Sequence, residues 1–397
     1  MSASAFSTDS ASTDPATTDL AAIDFTALAK PGISELAPYQ PGKPVEELQR
    51  ESGVREAIKL ASNENPLGPS PRAMAALRGR LNEVERYPDG GGYALKQALA
   101  AHLGIDHNRL TLGNGSNEVL ELVARVFAGP GDEIIYSEHC FTVYPIATRI
   151  VGATAVQVKA RRWGHDLQAM AGAVNERTRI VYIASPNNPT GTWVTDGELE
   201  RFLAAVPPRV LVVLDEAYYE YARARSYPPA SQYPDGMSKQ DRFHNLLVTR
   251  TFSKVHGLAA LRIGYCVSHP QIADLMNRIR MPFNVNAPGM TAALAALDDD
   301  AHIQRSLQCN YEGMEQLQAA FRSLDIPTID SAGNFLTFDS LGEALPVYDG
   351  LLRLGVIVRP IGAYDMADHL RVTIGTHTEN ERFLTALREV MSGLGRL

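Results

Sequence analysis

The sequence predicts an α/β protein: a large domain with a mainly parallel sheet flanked by helices, joined to a smaller α+β domain. Three observations carry this expectation. Short runs rich in Val and Ile alternate with segments of helix length between about residues 109 and 268. That rhythm suits a parallel sheet covered on both faces. After about residue 285 it gives way to one long helical stretch and then shorter strands. The chain also has 397 residues, more than one small core accommodates, so a second domain is expected.

The opening "MSASAFSTDSASTDPATTDL" is rich in Ser, Ala, Thr and Asp and carries no Lys or Arg. It lacks the basic start of a secretory signal and the arginines of a transit peptide. Residues 1–30 read as a disordered tail. Residues 31–60 show no sheet rhythm and are expected to pack against the small domain. The large domain is expected over 61–285. Its strands are "RLTLG" (109–113), "DEIIYS" (132–137), "TAVQVKA" (154–160), "RIVYIAS" (179–185), "RVLVVLDEAY" (209–218), "NLLVTRTFS" (245–253) and "LRIGYCVS" (261–268). The small domain is expected over 286–397. It begins with a helical stretch from Ala287 to Leu324, continues through "NFLTFD", "GVIVRP" and "HLRVTIG", and closes on a helix around Glu379 to Met391.

Composition excludes several functions. With 45% hydrophobic and 21% charged residues the chain is that of an ordinary globular protein. A net charge of −8 argues against a general nucleic-acid surface. No apolar run is long enough to span a membrane. The three cysteines form no CxxC pair, so no metal site is expected and reduced thiols in the cytoplasm fit best.

Four clusters fall at expected strand ends, where ligands bind in such sheets. "GNGSNE" (113–118) places glycines before a helix start, which suits an anion, although Gly-Asn-Gly is also an ordinary turn. "SPNNPTG" (185–191) is a rigid turn that offers two amide side chains. "LDEAYYEY" (214–221) ends an apolar strand in carboxylates; Asp215 either has a cationic partner or lies in solvent. The fourth cluster holds Thr251, Ser253, Lys254 and Arg262; taken alone, Lys254 would be a solvated surface group. Together they supply an anion cradle, an amide, a carboxylate, a phenol, a lysine and an arginine. A lysine can form a Schiff base with an aldehyde, and a carboxylate can keep a pyridine nitrogen protonated. That combination points to pyridoxal 5′-phosphate.

"SPNNPTG", "DEAY" and "TFSKVHGLAALRIGY" resemble the conserved blocks of fold-type I pyridoxal-phosphate-dependent aminotransferases, over a span from about Ile33 to the C-terminus. "ISELAPYQPGKPVEEL", "KLASNENPLGPSP", "RYPDGGGYALKQALA", "PFNVNAPG" and the pair "GVIVRP" and "HLRVTIGT" are similar to the histidinol-phosphate aminotransferase family. The resemblance implies a fold-type I transferase that exchanges an amino group between L-histidinol phosphate and 2-oxoglutarate. It implies that Lys254 is the Schiff-base lysine and proton shuttle, and that Asp215 partners the pyridine nitrogen. Asn188 and Tyr218 would bond the ring oxygen. Ser116, Asn117, Thr251, Ser253 and Arg262 would hold the cofactor phosphate. Tyr87 would reach the phosphate site of a neighbouring subunit, which implies a homodimer. Phe141 stands where the family often has a stacked tyrosine, so the stacking face is kept and a hydroxyl is lost. Arg371 would serve the substrate carboxylate or phosphate. Arg359, Tyr39, Asn63 and Glu64 would complete the substrate site.

Related aromatic aminotransferases share much of this pattern, and a decarboxylase of a phosphorylated amino acid would keep Lys254 and Asp215. A cofactor-binding sensor would carry an added DNA-binding domain, for which the residues before Ile33 are too few and too polar. His256 and His369 are expected to be structural.

Overall fold

A computed structural model describes residues 25–36, 38, 41–54, 56–224 and 232–397. Of the expected tail, residues 1–24 lie outside the described residues; Phe25–Leu28 forms one 3-10 turn.

The chain enters through α1 (Val45–Ser52) and β1 (Ile58–Lys59), followed by α2 (Pro71–Arg80) and α3 (Tyr93–Leu103). A seven-stranded sheet then forms from β2 (Leu110–Asn114), β3 (Glu133–Ser137), β4 (Thr154–Val158), β5 (Thr178–Ala184), β6 (Leu211–Asp215), β7 (Leu246–Thr251) and β8 (Ile263–Val267). Its order is β2-β8-β7-β6-β5-β3-β4. β8 runs antiparallel to both of its neighbours, and the remaining pairs are parallel. The helices between strands are α4 (Ser116–Phe127), α5 (Val143–Val151), α6 (Leu167–Gly172), α7 (Asp196–Ala205) and α8 (Tyr219–Arg223).

The unbroken apolar runs follow from burial on both faces. Ile134, Tyr136, Tyr182, Val213 and Leu247 pack against Val119 and Val123 of α4 and Tyr144 of α5. Their strand neighbours Ile135, Val181, Ile183, Val212 and Val248 pack the other way, against Met170, Leu199 and Phe202 of α6 and α7. Each such Val, Ile or Leu removed from water stabilises the fold by about 1.5–3 kcal/mol. Thr195 caps α7 in a reciprocal arrangement with Glu198, which fixes where that helix begins.

After α9 (Pro270–Ile279), the helical stretch expected from Ala287 to Leu324 is two helices, α10 (Ala287–Leu297) and α11 (Asp300–Ser323). The aspartates between them cause the break: Asp299 caps α11 by accepting from the His302 N–H at 3.2 Å. α10 lies beyond the expected boundary at 285/286 yet contacts elements expected in the large domain. Its Ala292, Ala293 and Ala296 pack with Ala73 of α2, Leu95 and Leu99 of α3, and Leu110 of β2. These small side chains let α10 lie close on α2, α3 and β2.

The second lobe holds β9 (Thr328–Ile329), β10 (Phe335–Asp339), α12 (Ala344–Arg353), β11 (Val356–Ile357), β12 (Arg359–Pro360), β13 (His369–Thr373) and α13 (His377–Gly393). A four-stranded sheet of order β12-β13-β10-β9 carries Leu336, Phe338, Leu370 and Val372 against Phe321, Val347, Leu351 and Phe383 of the helices. β1 pairs in parallel with β11, and the Thr373 N–H donates to the Leu60 carbonyl at 2.8 Å. Residues 45–60 therefore attach to this lobe, whereas Lys30 and Glu35 contact Ile150 and Arg149 of α5 in the large lobe. Among the described residues, no helix is long and apolar enough to cross a membrane.

Candidate active site

Strand ends from the large lobe and two strands of the small lobe enclose one cavity of about 230 Å³. β5, β6 and β7 deliver Ala184, Asp215 and Thr251 from their last positions. Arg262 precedes a strand yet reaches the same edge, because β8 is antiparallel and starts where its neighbours end. β12 and β13 add Arg359 and Arg371, and Tyr364 joins them from the turn between these strands.

Lys254 follows β7, and its Nζ donates to the Ser62 carbonyl at 3.2 Å. Burial lowers its pKa to about 8, helped by the Arg371 and Arg262 charges and opposed by Glu64 and Asp215. Near neutral pH a useful fraction of the amine is therefore unprotonated, as a nucleophile requires. Asp215 is buried at 5% exposure. Tyr144 donates to its Oδ2 and Thr249 to its Oδ1, both at 3.0 Å. Burial pushes this carboxyl above its usual range, against those two hydroxyls and the Ala217 N–H, which favour the anion. A cation in the cavity would complete its charge balance.

The anion end of the cavity is built on close approach. α4 begins at Ser116 with Gly115 as an N-cap that supplies no side chain, so the first-turn N–H groups stay open. Ser116 and Asn117 line the cavity there. Gly115 has φ +78°, and a Cβ on it would lie 2.2 Å from Arg262 Nη2. A Cβ on Gly264 of β8 would lie 2.2 Å from the Ser116 nitrogen. Only glycine at both positions lets strand, helix end and guanidinium meet. Arg262, itself at φ 54°, donates to Ser253 Oγ at 3.2 Å and to the Ala259 carbonyl at 3.0 Å. The Ser253 N–H donates to Thr251 Oγ1 at 3.1 Å.

A second network joins the lobes. Arg371 Nη1 donates to Asn188 Oδ1, and Nη2 donates to the Ala61 carbonyl at 2.7 Å. That leaves the Asn188 NH₂ as the amide group available to a ligand. Asn63 Nδ2 donates to the Tyr218 hydroxyl at 2.9 Å. Burial pushes the Tyr218 phenol up to about 12, so it stays a neutral donor. Phe141 presents a ring to the cavity and stands edge-on to Tyr144, with centroids 6.0 Å apart.

Not every expected residue lies here. Tyr39 is outside the described residues. Tyr87 does not line the cavity; it is 82% exposed and stacks on Phe283 at 4.7 Å. Glu64 lines the cavity and also pairs with Lys59 at 2.8 Å. His256 packs on Phe252, and His369 bonds Asp368 at 2.6 Å; neither faces the cavity. Sequence reading missed Tyr144, Thr249 and Tyr364. Thr249, a hydroxyl within a wholly buried strand, was the one signal on offer.

Four cations (Lys254, Arg262, Arg359 and Arg371) line this cavity against two carboxylates (Glu64 and Asp215), so it favours anions. An amine nucleophile, a buried acid held by two hydroxyls and an open helix end suit a ring bearing an aldehyde, a basic nitrogen and a phosphate. The donor set fits that group.

Comparison with known proteins agrees with this geometry. The family described as aminotransferase class I and II matches residues 55–387. The chain is 56% identical over 364 residues to histidinol-phosphate aminotransferase 1 of Nitrosococcus oceani, spanning 92% of this chain and 97% of the relative. It is 55% identical over 368 residues to histidinol-phosphate aminotransferase 2 of Pseudomonas fluorescens, spanning 92% and 98%. A crystal structure of histidinol-phosphate aminotransferase from Sinorhizobium meliloti in complex with pyridoxal-5′-phosphate superposes with a TM-score of 0.82 at 28% identity, covering 90% of this chain and 99% of that one. Thermus thermophilus aspartate aminotransferase with maleate, at 20% identity and TM-score 0.76, covering 88% and 97%, shares the fold.

Proposed function

Because the chain belongs to the class I and II aminotransferases, we propose that it transfers the amino group of L-histidinol phosphate to 2-oxoglutarate, giving imidazole-acetol phosphate and L-glutamate in histidine biosynthesis. The observation that carries the substrate is the pairing of Arg359 with Arg371. They are register partners on β12 and β13, and both line the cavity with Lys254. Side chains of directly opposed residues share a sheet face about 4.5–5.5 Å apart at Cβ. Two like charges so placed favour a dianion between them, and the phosphate arm of histidinol phosphate supplies one. The relatives at 55–56% identity carry that substrate in their names, so the aromatic alternative is not favoured.

The cofactor is pyridoxal 5′-phosphate, which when bound supplies an aldehyde and an electron-withdrawing ring. Lys254 would bind the aldehyde carbon, and its Nζ would serve to move the proton at substrate Cα. Asp215 would keep the ring nitrogen protonated. Asn188 and Tyr218 would donate to the ring oxygen, and Phe141 would cover one ring face. Ser116, Asn117, Thr251, Ser253 and Arg262 hold the phosphate. Arg371 takes the carboxylate of glutamate and the phosphate of histidinol phosphate in turn, with Arg359, Asn63, Glu64 and Tyr39 around the second substrate.

The active unit is a homodimer in which Tyr87 reaches the partner's phosphate site. The exposure of Tyr87, Phe283 and Met281 supports an apolar contact there. Its place is the cytoplasm, consistent with free thiols at Cys140, Cys266 and Cys309.

The test is a half-reaction. The loaded enzyme is mixed with L-histidinol phosphate or with phenylalanine, and the cofactor absorbance is followed. Conversion by histidinol phosphate at far lower concentration supports this reading; conversion by phenylalanine alone moves the enzyme to the aromatic class. Arg359→Ala is expected to raise the KM for histidinol phosphate about tenfold and that for glutamate less than about threefold. Equal losses for both substrates would remove the proposed role.

A further inference from the structure

Tyr144 belongs to none of the motifs that mark the site, yet its hydroxyl reaches Asp215 Oδ2 from a fully buried position. Its ring stacks on Tyr182 at 4.7 Å with an interplanar angle of 2° and meets Phe141 edge-on at 83°. Its helix turn is tied by Thr148 Oγ1, which donates to the Tyr144 carbonyl at 2.8 Å. An ionised carboxylate only accepts hydrogen bonds, whereas a neutral one must donate once. With Asp215 ionised, the Tyr144 and Thr249 hydroxyls both donate to it. Were the acid neutral, one of these hydroxyl protons would have to turn into the surrounding side chains, at the cost of an unmet buried donor.

We propose that Tyr144 is a positioning residue, whose hydroxyl holds Asp215 as an anion aimed at the cofactor ring nitrogen and whose ring couples that carboxylate to Phe141 on the ring face. This rests on the reading that Asp215 faces that nitrogen. Two features separate Tyr144 from a merely well-packed aromatic. Its hydroxyl ends on the functional carboxylate and not on a backbone carbonyl, as the neighbouring Tyr182 hydroxyl does at Leu120, 2.7 Å away. It also contacts both the residue under the ring and the residue at its nitrogen.

Tyr144→Phe removes one oxygen and keeps the stack on Tyr182. An Asp215 anion with one donor fewer is more basic and takes the proton it shares with the ring nitrogen more often, so the lysine nitrogen bonded to the cofactor would hold its proton to higher pH. In the loaded enzyme, the pH midpoint of the visible absorbance is expected to rise by about one unit. The kcat should fall about tenfold, with the KM for L-histidinol phosphate held within about twofold. Thr249→Val, which removes the other hydroxyl donor, should move the midpoint the same way. Tyr182→Phe, which does not touch Asp215, should leave it in place. An unmoved midpoint in Tyr144→Phe, or an equal movement in Tyr182→Phe, overturns the proposal. A wild-type protein that shows no visible band with pyridoxal phosphate would instead refute the cofactor reading, and this proposal with it.

Discussion

Lys254→Ala is expected to abolish the visible absorbance of covalently held cofactor and to lower turnover by about 10⁴-fold or more. On the proposed reading two roles would be lost with one amine: the covalent hold and the base that moves the Cα proton. The remaining cavity keeps its phosphate cradle at the start of α4, so the variant should still bind the cofactor, without the covalent band and without label after borohydride treatment. A variant with undiminished transamination would overturn the central assignment. The same amine sets a pH dependence. Its pKa is lowered from 10.5 to about 8 by burial and by the neighbouring arginines. Below that value, each pH unit removes about nine-tenths of the neutral amine. Capture of pyridoxal phosphate by the cofactor-free protein is therefore expected to accelerate about tenfold per unit up to pH 8 and then level off. Stopped-flow absorbance across pH 6–10 checks this; acceleration that continues to 10.5 would mean that Lys254 behaves as a solvated surface group.

The strand rhythm between residues 109 and 268 was legible because buried parallel strands are apolar on both faces, and Asp215 and Lys254 were legible because one ends such a strand and the other follows one. Strand direction was not legible. Nothing in "LRIGYCVS" states that it runs antiparallel, and only that reversal explains how Arg262 joins groups that follow their strands. The lobe to which α10 belongs was hidden for a similar reason. Its alanines mark a helix under close packing but do not say against which core. Tyr144 escaped notice because it looks like any apolar-face aromatic of a helix, and its partner lies 71 residues away. Thr249 is the register partner of Asp215 on the neighbouring parallel strand, a relation that exists only once the sheet is assembled. Pairwise chemistry of that kind is written in topology, and a linear reading reaches it only through the oddity of a hydroxyl in a buried strand.

Arg371→Ala is expected to lower kcat/KM about 10²- to 10³-fold in both half-reactions, because Arg371 serves as both a charge and a strut. As a charge it would meet, on the proposed reading, the carboxylate of glutamate and the phosphate of histidinol phosphate; losing one partner of a buried, hydrogen-bonded charge pair costs about 2–5 kcal/mol. As a strut it joins the lobes: one side of the guanidinium holds Asn188 on the large lobe and the other holds the Ala61 carbonyl, over the Phe335 ring at 5.3 Å. Arg371→Lys should recover little, since a single ammonium cannot reproduce a planar fork that binds two fixed acceptors at once. Arg359 makes the contrast. It is half-buried on the edge strand β12, and its loss should be felt by the phosphate-bearing substrate in particular. The two variants measured side by side with both substrates separate these roles. Uniform loss at Arg371 and selective loss at Arg359 would mean that one arginine binds what the two substrates share and the other what distinguishes them. Selectivity at Arg371 instead would reverse that assignment and place the common anion site elsewhere in the cavity.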